Sequence, residues 1–182
     1  MAGPGYTFID EAEAASSSTS VLEITGIPDT YRHLELIFAG VGESISYYSF
    51  LTMRVNDVAS AYYENGGVWS SGATTAGQGT GNNNGTYAYW GYVNGINSSP
   101  KQISHALMNI YGYNMSLQKT HTACSGASGT TSSVSNAYGV SNWGGVLPVT
   151  AAINKITVKL ENGSYNFTEG SSIRLFGWGI PE

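Results

Sequence analysis

Apolar residues in this chain recur at every second position, in short runs divided by clusters of Gly, Asn and Ser. From His33 to Ala39, Leu34, Leu36 and Phe38 share one face while Glu35 and Ile37 share the other. From Ser49 to Val55, Leu51, Met53 and Val55 alternate with Phe50, Thr52 and Arg54. From Ala152 to Leu160, Ile156, Val158 and Leu160 alternate with Lys155, Thr157 and Lys159. Such a period of two is what a half-buried strand requires, because successive side chains leave the pleat on opposite sides. Further strands are expected at Val21 to Thr25 (closed by Gly26-Ile27-Pro28-Asp29), Thr86 to Val93, Gln102 to Tyr113, Ser116 to Cys124 and Ser172 to Trp178. Asn162-Gly163 is a hairpin pair. The last strand is expected to be interior, with Leu175 in the core and Trp178 capping its edge near the Ile27-Pro28 turn.

Helical patterning is nearly absent. Only Ile9 to Ala15 has helix-forming composition, and it is too short to stand alone in water. Residues 1–20 are therefore read as an N-terminal arm, and residues 21–182 as one domain. Glu64 to Gly85 and Ser125 to Ser133 lack core-forming residues and are read as long surface loops. About eight strands with long Gly/Ser/Asn-rich loops predict an all-β antiparallel sandwich, jelly-roll-like.

Composition narrows the functional classes. Charged residues make up 10% of the chain, far below the usual quarter or so, and Ser, Thr, Asn, Gly and Tyr take their place. A polar but uncharged surface suits subunit interfaces better than a freely diffusing enzyme. A net charge of −5 with seven basic residues argues against a phosphate backbone as partner, which needs clustered cations. No apolar stretch approaches the roughly 20 residues that span a bilayer, so no membrane is expected. The start of the chain lacks the basic and apolar regions of a secretory signal, which predicts a soluble, unexported protein.

Candidate chemistry is sparse. No motif marks His33, His105 or His121, which are read as satisfied structural imidazoles. His121 to Cys124 suggests a Cys–His nucleophile, but local sequence supplies neither a placed base nor an oxyanion donor. The lone Cys124 forms no intrachain disulfide, and no Cys/His metal spacing exists. Asn56-Asp57 lacks the spacing of a calcium loop and reads as a turn. No catalytic residue, cofactor or metal is expected, so the chain is read as a non-enzyme. The aromatic clusters remain: Trp69, Tyr87, Tyr89 and Trp90 suit either a subunit interface or a platform on which sugars stack.

Three segments carry a resemblance. Ser20 to Leu36 (SVLEITGIPDTYRHLEL) resembles the opening of a widespread group of small bacteriophage virion proteins, whose first strand ends in Ile-Pro-x-x-Tyr. Met53 to Tyr63 (MRVNDVASAYY) is similar to the group's Arg-Phe-Asn-Gly-Asp…Tyr segment, and Ala151 to Ile180 to its ending. The glycine expected after Asn56 is missing, and Phe176 replaces the usual tyrosine. The resemblance implies a jelly roll on the phage particle, assembled in the host cytoplasm, with no catalytic residues. The expected role is a capsid decoration (cement) protein that binds the major capsid protein or other virion proteins as a homo-oligomer, a trimer by the group's threefold habit. The lack of a fibre shaft or coiled coil favours the head. The alternative is a tail fibre or receptor-binding module that holds a host surface glycan.

Overall fold

A computed structural model describes residues 5–43, 48–59, 63–71, 78–95, 103–129, 137–161 and 165–179. Its strands are β1 (Thr7–Glu13), β2 (Leu22–Thr25), β3 (His33–Gly40), β4 (Tyr48–Val55), β5 (Tyr63–Ser71) and β6 (Gln78–Gly85), then β7 (Ala88–Asn94), β8 (Ser104–Tyr111), β9 (Lys119–Gly129), β10 (Ala137–Leu147), β11 (Lys155–Leu160) and β12 (Ser172–Trp178). No helix occurs among the described residues. The strands form an eight-stranded sheet, β1-β12-β3-β8-β9-β10-β5-β6, and a four-stranded sheet, β2-β11-β4-β7. The protein is an all-β antiparallel sandwich.

The strand order has a simple source. Taking β2 to β8 and β11 as eight successive strands, the small sheet holds the first, eighth, third and sixth. The large sheet holds the second and seventh, then the fourth and fifth. That is the order of a jelly roll. The remaining strands are additions to the large sheet: the β9–β10 hairpin is inserted between β8 and β5, while β12 and β1 extend the edge beyond β3. Twelve strands occur among the described residues where about eight were expected, and the expected eight included β9 and β12 but neither β5 nor β6.

The core lies where the alternating patterns place it. Leu34, Leu36 and Phe38, Leu51, Met53 and Val55, Ile156, Val158 and Leu160, and Ile173 and Leu175 are all buried between the sheets. Their alternates point outward, so the period of two and the pleat agree.

The two sheets are also joined at one edge. β7 pairs with β4 on one side, and among the described residues its other rim has no strand beside it. Side chains of the large sheet take that place. Asn65 of β5 donates from Nδ2 to the Tyr87 carbonyl (3.0 Å) and accepts from the Tyr89 amide at Oδ1 (3.0 Å). Ser125 Oγ of β9 accepts from the Tyr92 amide (2.9 Å), and Ser104 Oγ of β8 from the Asn94 amide (2.7 Å). Gly91 makes the approach feasible: a Cβ there would lie 2.3 Å from Ser125 Cβ.

Four expectations are corrected. The segment read as an arm, residues 1–20, contains β1, which pairs with β12, and Ala14, which is buried with its amide donating to the Ser171 carbonyl (2.8 Å). Weak helix propensity yields there to the unpaired edge of β12. The stretch Glu64 to Gly85, read as a loop, contains most of β5 and all of β6, and Ser125 to Gly129 belongs to β9. These strands add to a sheet through backbone hydrogen bonds, which glycine, serine and asparagine supply as well as apolar residues do. Residues 72–77 and 130–136, and the Asn162-Gly163 pair, lie outside the described residues. Trp178 faces outward and packs on His33 (ring centroids 4.3 Å). The 28–31 turn is held instead by Tyr113, whose hydroxyl donates to the Pro28 carbonyl and accepts from the Tyr31 amide.

β12 is interior, with β1 on one side and β3 on the other. Leu175 is 0% exposed. Leu175→Ala is therefore expected to cost roughly 2–5 kcal/mol, read from the midpoint of a denaturant titration.

Candidate functional site

The outer face of the small sheet carries a cleft. Its floor follows from strand register: Arg54 of β4 lies opposite Thr157 of β11, and Thr52 lies opposite Lys159. Thr52 Oγ1 donates to the Lys159 carbonyl (3.0 Å), and Arg54 Nε donates to the Thr86 carbonyl (2.9 Å), which fixes the guanidinium stem. Glu161 follows β11, anchored by its amide on the Phe50 carbonyl (2.9 Å). Its Oε1 accepts from the Tyr89 hydroxyl (2.7 Å) and, more weakly, the Tyr87 hydroxyl (3.5 Å). Thr52, Arg54, Tyr87, Thr157, Lys159 and Glu161 enclose about 210 Å³.

An aromatic stack supports one wall. Tyr87 and Tyr89 meet edge to face at 5.4 Å, and Tyr89 stacks on Trp143 of β10 at 5.1 Å. Phe50 adds an edge contact to Tyr89 at 5.2 Å and lies 4.6 Å from Tyr92. Trp143 fits because Gly67 passes beneath it; a Cβ at that position would lie 2.4 Å from the indole. Burial, and next the Glu161 carboxylate, push the Tyr89 phenol far above its ordinary range. It stays protonated and donating.

Of the four aromatics expected as stacking residues, the structure brings two together. Tyr87 and Tyr89 are half-buried and share Glu161. Trp90 is 0% exposed, edge-on to Phe38 in the core, so it has no face to offer a ligand. A bulge in the β4–β7 ladder explains the difference: Leu51 pairs with Gly91 and Thr52 with Tyr89, which leaves Trp90 unpaired and turned inward. The side chain of Trp69 lies outside the described residues. Sequence reasoning missed Glu161, Trp143 and the pairing of Arg54 with Thr157. Period two had placed Arg54, Thr157 and Lys159 on outer faces, but which strands adjoin is not written locally.

A second aromatic cluster lies on the outer face of the large sheet. Tyr6 stacks on Phe176 at 4.7 Å, and Phe8 meets the same ring at 5.7 Å. Tyr6 and Phe8 remain 55% and 53% exposed. The Tyr6 hydroxyl donates to the Glu35 carboxylate. His33 and Tyr111 continue this cluster beside Trp178.

The titratable groups have mainly structural placements. His33 Nδ1 accepts from the Gly112 amide (3.2 Å), and burial followed by Arg32 lowers its pKa. His105 is exposed. Lys119 is 1% exposed, and its ammonium donates to the carbonyls of Met115, Leu117 (2.7 Å) and Thr150 (3.0 Å). His121 is also 1% exposed, and neither ring nitrogen has a hydrogen-bond partner among the described residues. It is not the satisfied imidazole expected. Cys124 is exposed on the opposite face of β9 from His121, so strand alternation keeps the thiol and imidazole apart.

Asn56 and Asp57 both adopt left-handed backbone (φ 50° and 57°) in a turn closed by the Val58 amide on the Val55 carbonyl. Asn56 Oδ1 accepts from the Asn154 and Lys155 amides, and Asp57 pairs with Lys155 at 3.0 Å. Their oxygens serve the turn, and no group of three His, Cys, Asp or Glu residues placed for a metal occurs among the described residues. Asp57 stands where the resemblance expects glycine, in the conformation glycine would favour.

No family model and no curated protein matches the chain. A solved botulinum neurotoxin serotype D/C binding domain aligns with 88% of this chain, at 9% identity and a TM-score of 0.15. The chain spans 38% of that structure's length, and the likeness carries no argument.

His121 generates a pH dependence. Burial lowers its pKa to about 4, while in the unfolded chain it titrates near 6.5. Above that range both states are neutral and the residue contributes no slope. As pH falls from about 6.5 to about 4 the unfolded chain binds the proton first, so stability declines by roughly 3 kcal/mol. His33 acts with the same sign. Equilibrium unfolding across this window is expected to show the decline, and His121→Leu to remove most of it.

Proposed function

We propose that this chain is a structural protein of a bacteriophage particle, a capsid decoration protein without catalytic activity. The observation that carries this reading is the outer face of the large sheet. Tyr6, Phe8 and Phe176 form an exposed aromatic cluster there, and Val140 (56%) and Val68 (52%) extend the apolar surface across the inserted hairpin and β5. Thr120, Thr122, Cys124 and Asn142, exposed on β9 and β10, carry no charge. The charged groups around the aromatic cluster are engaged, Glu35 with Tyr6 and Arg174 with Glu11 (2.9 Å), and a face rich in aromatic rings and low in free charge resembles the central part of a protein interface. In this role it lies against capsid subunits and holds them by buried area, and the protein associates as a trimer.

A second reading, a glycan-binding module of the tail, is favoured by the cleft beside Tyr87. Its half-buried ring is held by Tyr89 and Glu161, as a stacking wall for a sugar requires.

Particle reconstruction tests the first reading. Density for the chain is expected on the head, and Phe8→Ser with Phe176→Ser should reduce its occupancy at least tenfold while the free protein stays folded. Density confined to the tail would overturn the assignment. Sedimentation of the purified chain is expected to give a trimer, and a monomer at micromolar concentration would contradict self-association.

A further inference from the structure

We infer that the cleft of the four-stranded sheet binds an acidic saccharide, a sugar whose ring bears a carboxylate. This inference rests on the glycan-binding reading of that cleft and adds the chemical class of its ligand.

The distribution of positive charge is the first reason. The chain has only seven basic residues and a net charge of −5, yet Arg54, Lys155 and Lys159 all lie on the outer face of this one small sheet. Lys155 is neutralised by Glu23 (2.9 Å) and Asp57 (3.0 Å). Arg54 and Lys159 have no carboxylate within ion-pair distance among the described residues, and both line the cleft. They are diagonal across the β4–β11 ladder, Arg54 opposite Thr157 and Lys159 opposite Thr52. Diagonal neighbours of this kind are about 7–8 Å apart at the backbone, a spacing that long cationic side chains close around a single carboxylate. Arg54 is further held in place by its Nε bond to Thr86.

The other walls suit a sugar ring rather than a bare anion. Tyr87 brings an aromatic ring to the cleft, the kind of surface on which the C–H side of a pyranose packs, and its contact with Tyr89 holds that ring before any ligand arrives. Glu161 spends Oε1 on the two tyrosine hydroxyls, and its second oxygen, with no hydrogen-bond partner among the described residues, can accept from a sugar hydroxyl. The same carboxylate disfavours a phosphate dianion, which a cleft built only for anions would prefer. Two cations, one acceptor and one aromatic face within about 210 Å³ match one acidic sugar residue.

Titration with matched oligosaccharides tests this: oligogalacturonate, alginate oligomers and oligosialate, each beside its methyl-esterified form, followed by amide NMR shifts of the purified protein. At least one acid is expected to shift residues 52–54, 87–89 and 157–161, with affinity at least tenfold above its ester. Lys159→Gln, at an exposed position, is expected to erase that preference, and raised salt to weaken binding. Tyr87→Ala is expected to weaken acid and ester alike. If esters bind as tightly as acids, the saccharide reading stands and the acidic inference falls. If neither binds, both fall. Shifts confined to other residues, or an acid preference that survives Lys159→Gln, would also overturn the inference.

Discussion

The side-chain seal along β7 is the constraint on which the rest of the sandwich depends. An edge strand with free amides and carbonyls invites another strand to pair with it, and a strand there would separate the small sheet from the large one. Asn65, Ser104 and Ser125 fill that role without a strand, each reaching from a different element of the large sheet. Ser125 and Ser141 are also hydrogen-bonded to each other (2.8 Å), which ties the inserted hairpin into the same seam. A buried amide left unmatched costs about 1–3 kcal/mol, so the seal specifies how the sheets meet as well as stabilising the result.

The seam also fixes the cleft. Asn65 holds the backbone on both sides of Ala88, at Tyr87 and Tyr89, whose side chains meet Glu161. Trp143, carried by the inserted hairpin, backs Tyr89. The wall of the cleft is therefore supported from the large sheet, while its floor belongs to the small one. Polar groups elsewhere in the interior are less evenly matched. Lys119 meets three carbonyls, and among the described residues the ring nitrogens of His121, Ser49 Oγ and the indole nitrogens of Trp90 and Trp143 are buried without a hydrogen-bond partner.

Sequence periodicity revealed the faces of β3, β4, β11 and β12 because each buries one side against the other sheet. It failed for β5, β6 and the distal half of β9, whose Gly-, Ser- and Asn-rich segments reach the sheet through backbone pairing and leave no apolar signature. It failed for β1 because a short helix-forming composition is a weak preference beside a vacant sheet edge. Tyr87 and Tyr89 were legible as a pair of alternating aromatics, but Trp90 was not placed, since a bulge is invisible in the order YAYWGY. Glu161 was illegible for a different reason: its importance comes from a contact with a tyrosine 72 residues away.

The pairing of β1 with β12 has a consequence for synthesis. Thr7 lies beside Gly177 and Glu13 beside Ser172, so β1 leaves the ribosome more than 150 residues ahead of β12 and waits for it before that pairing can form. β3 likewise lacks its β12 partner until then. Pairing across so many intervening residues is slow to form, and unpaired edges are prone to aggregation while they wait. The acidic run Asp10, Glu11 and Glu13 gives the waiting segment a charge that repels its own copies, in a chain that otherwise uses charge sparingly.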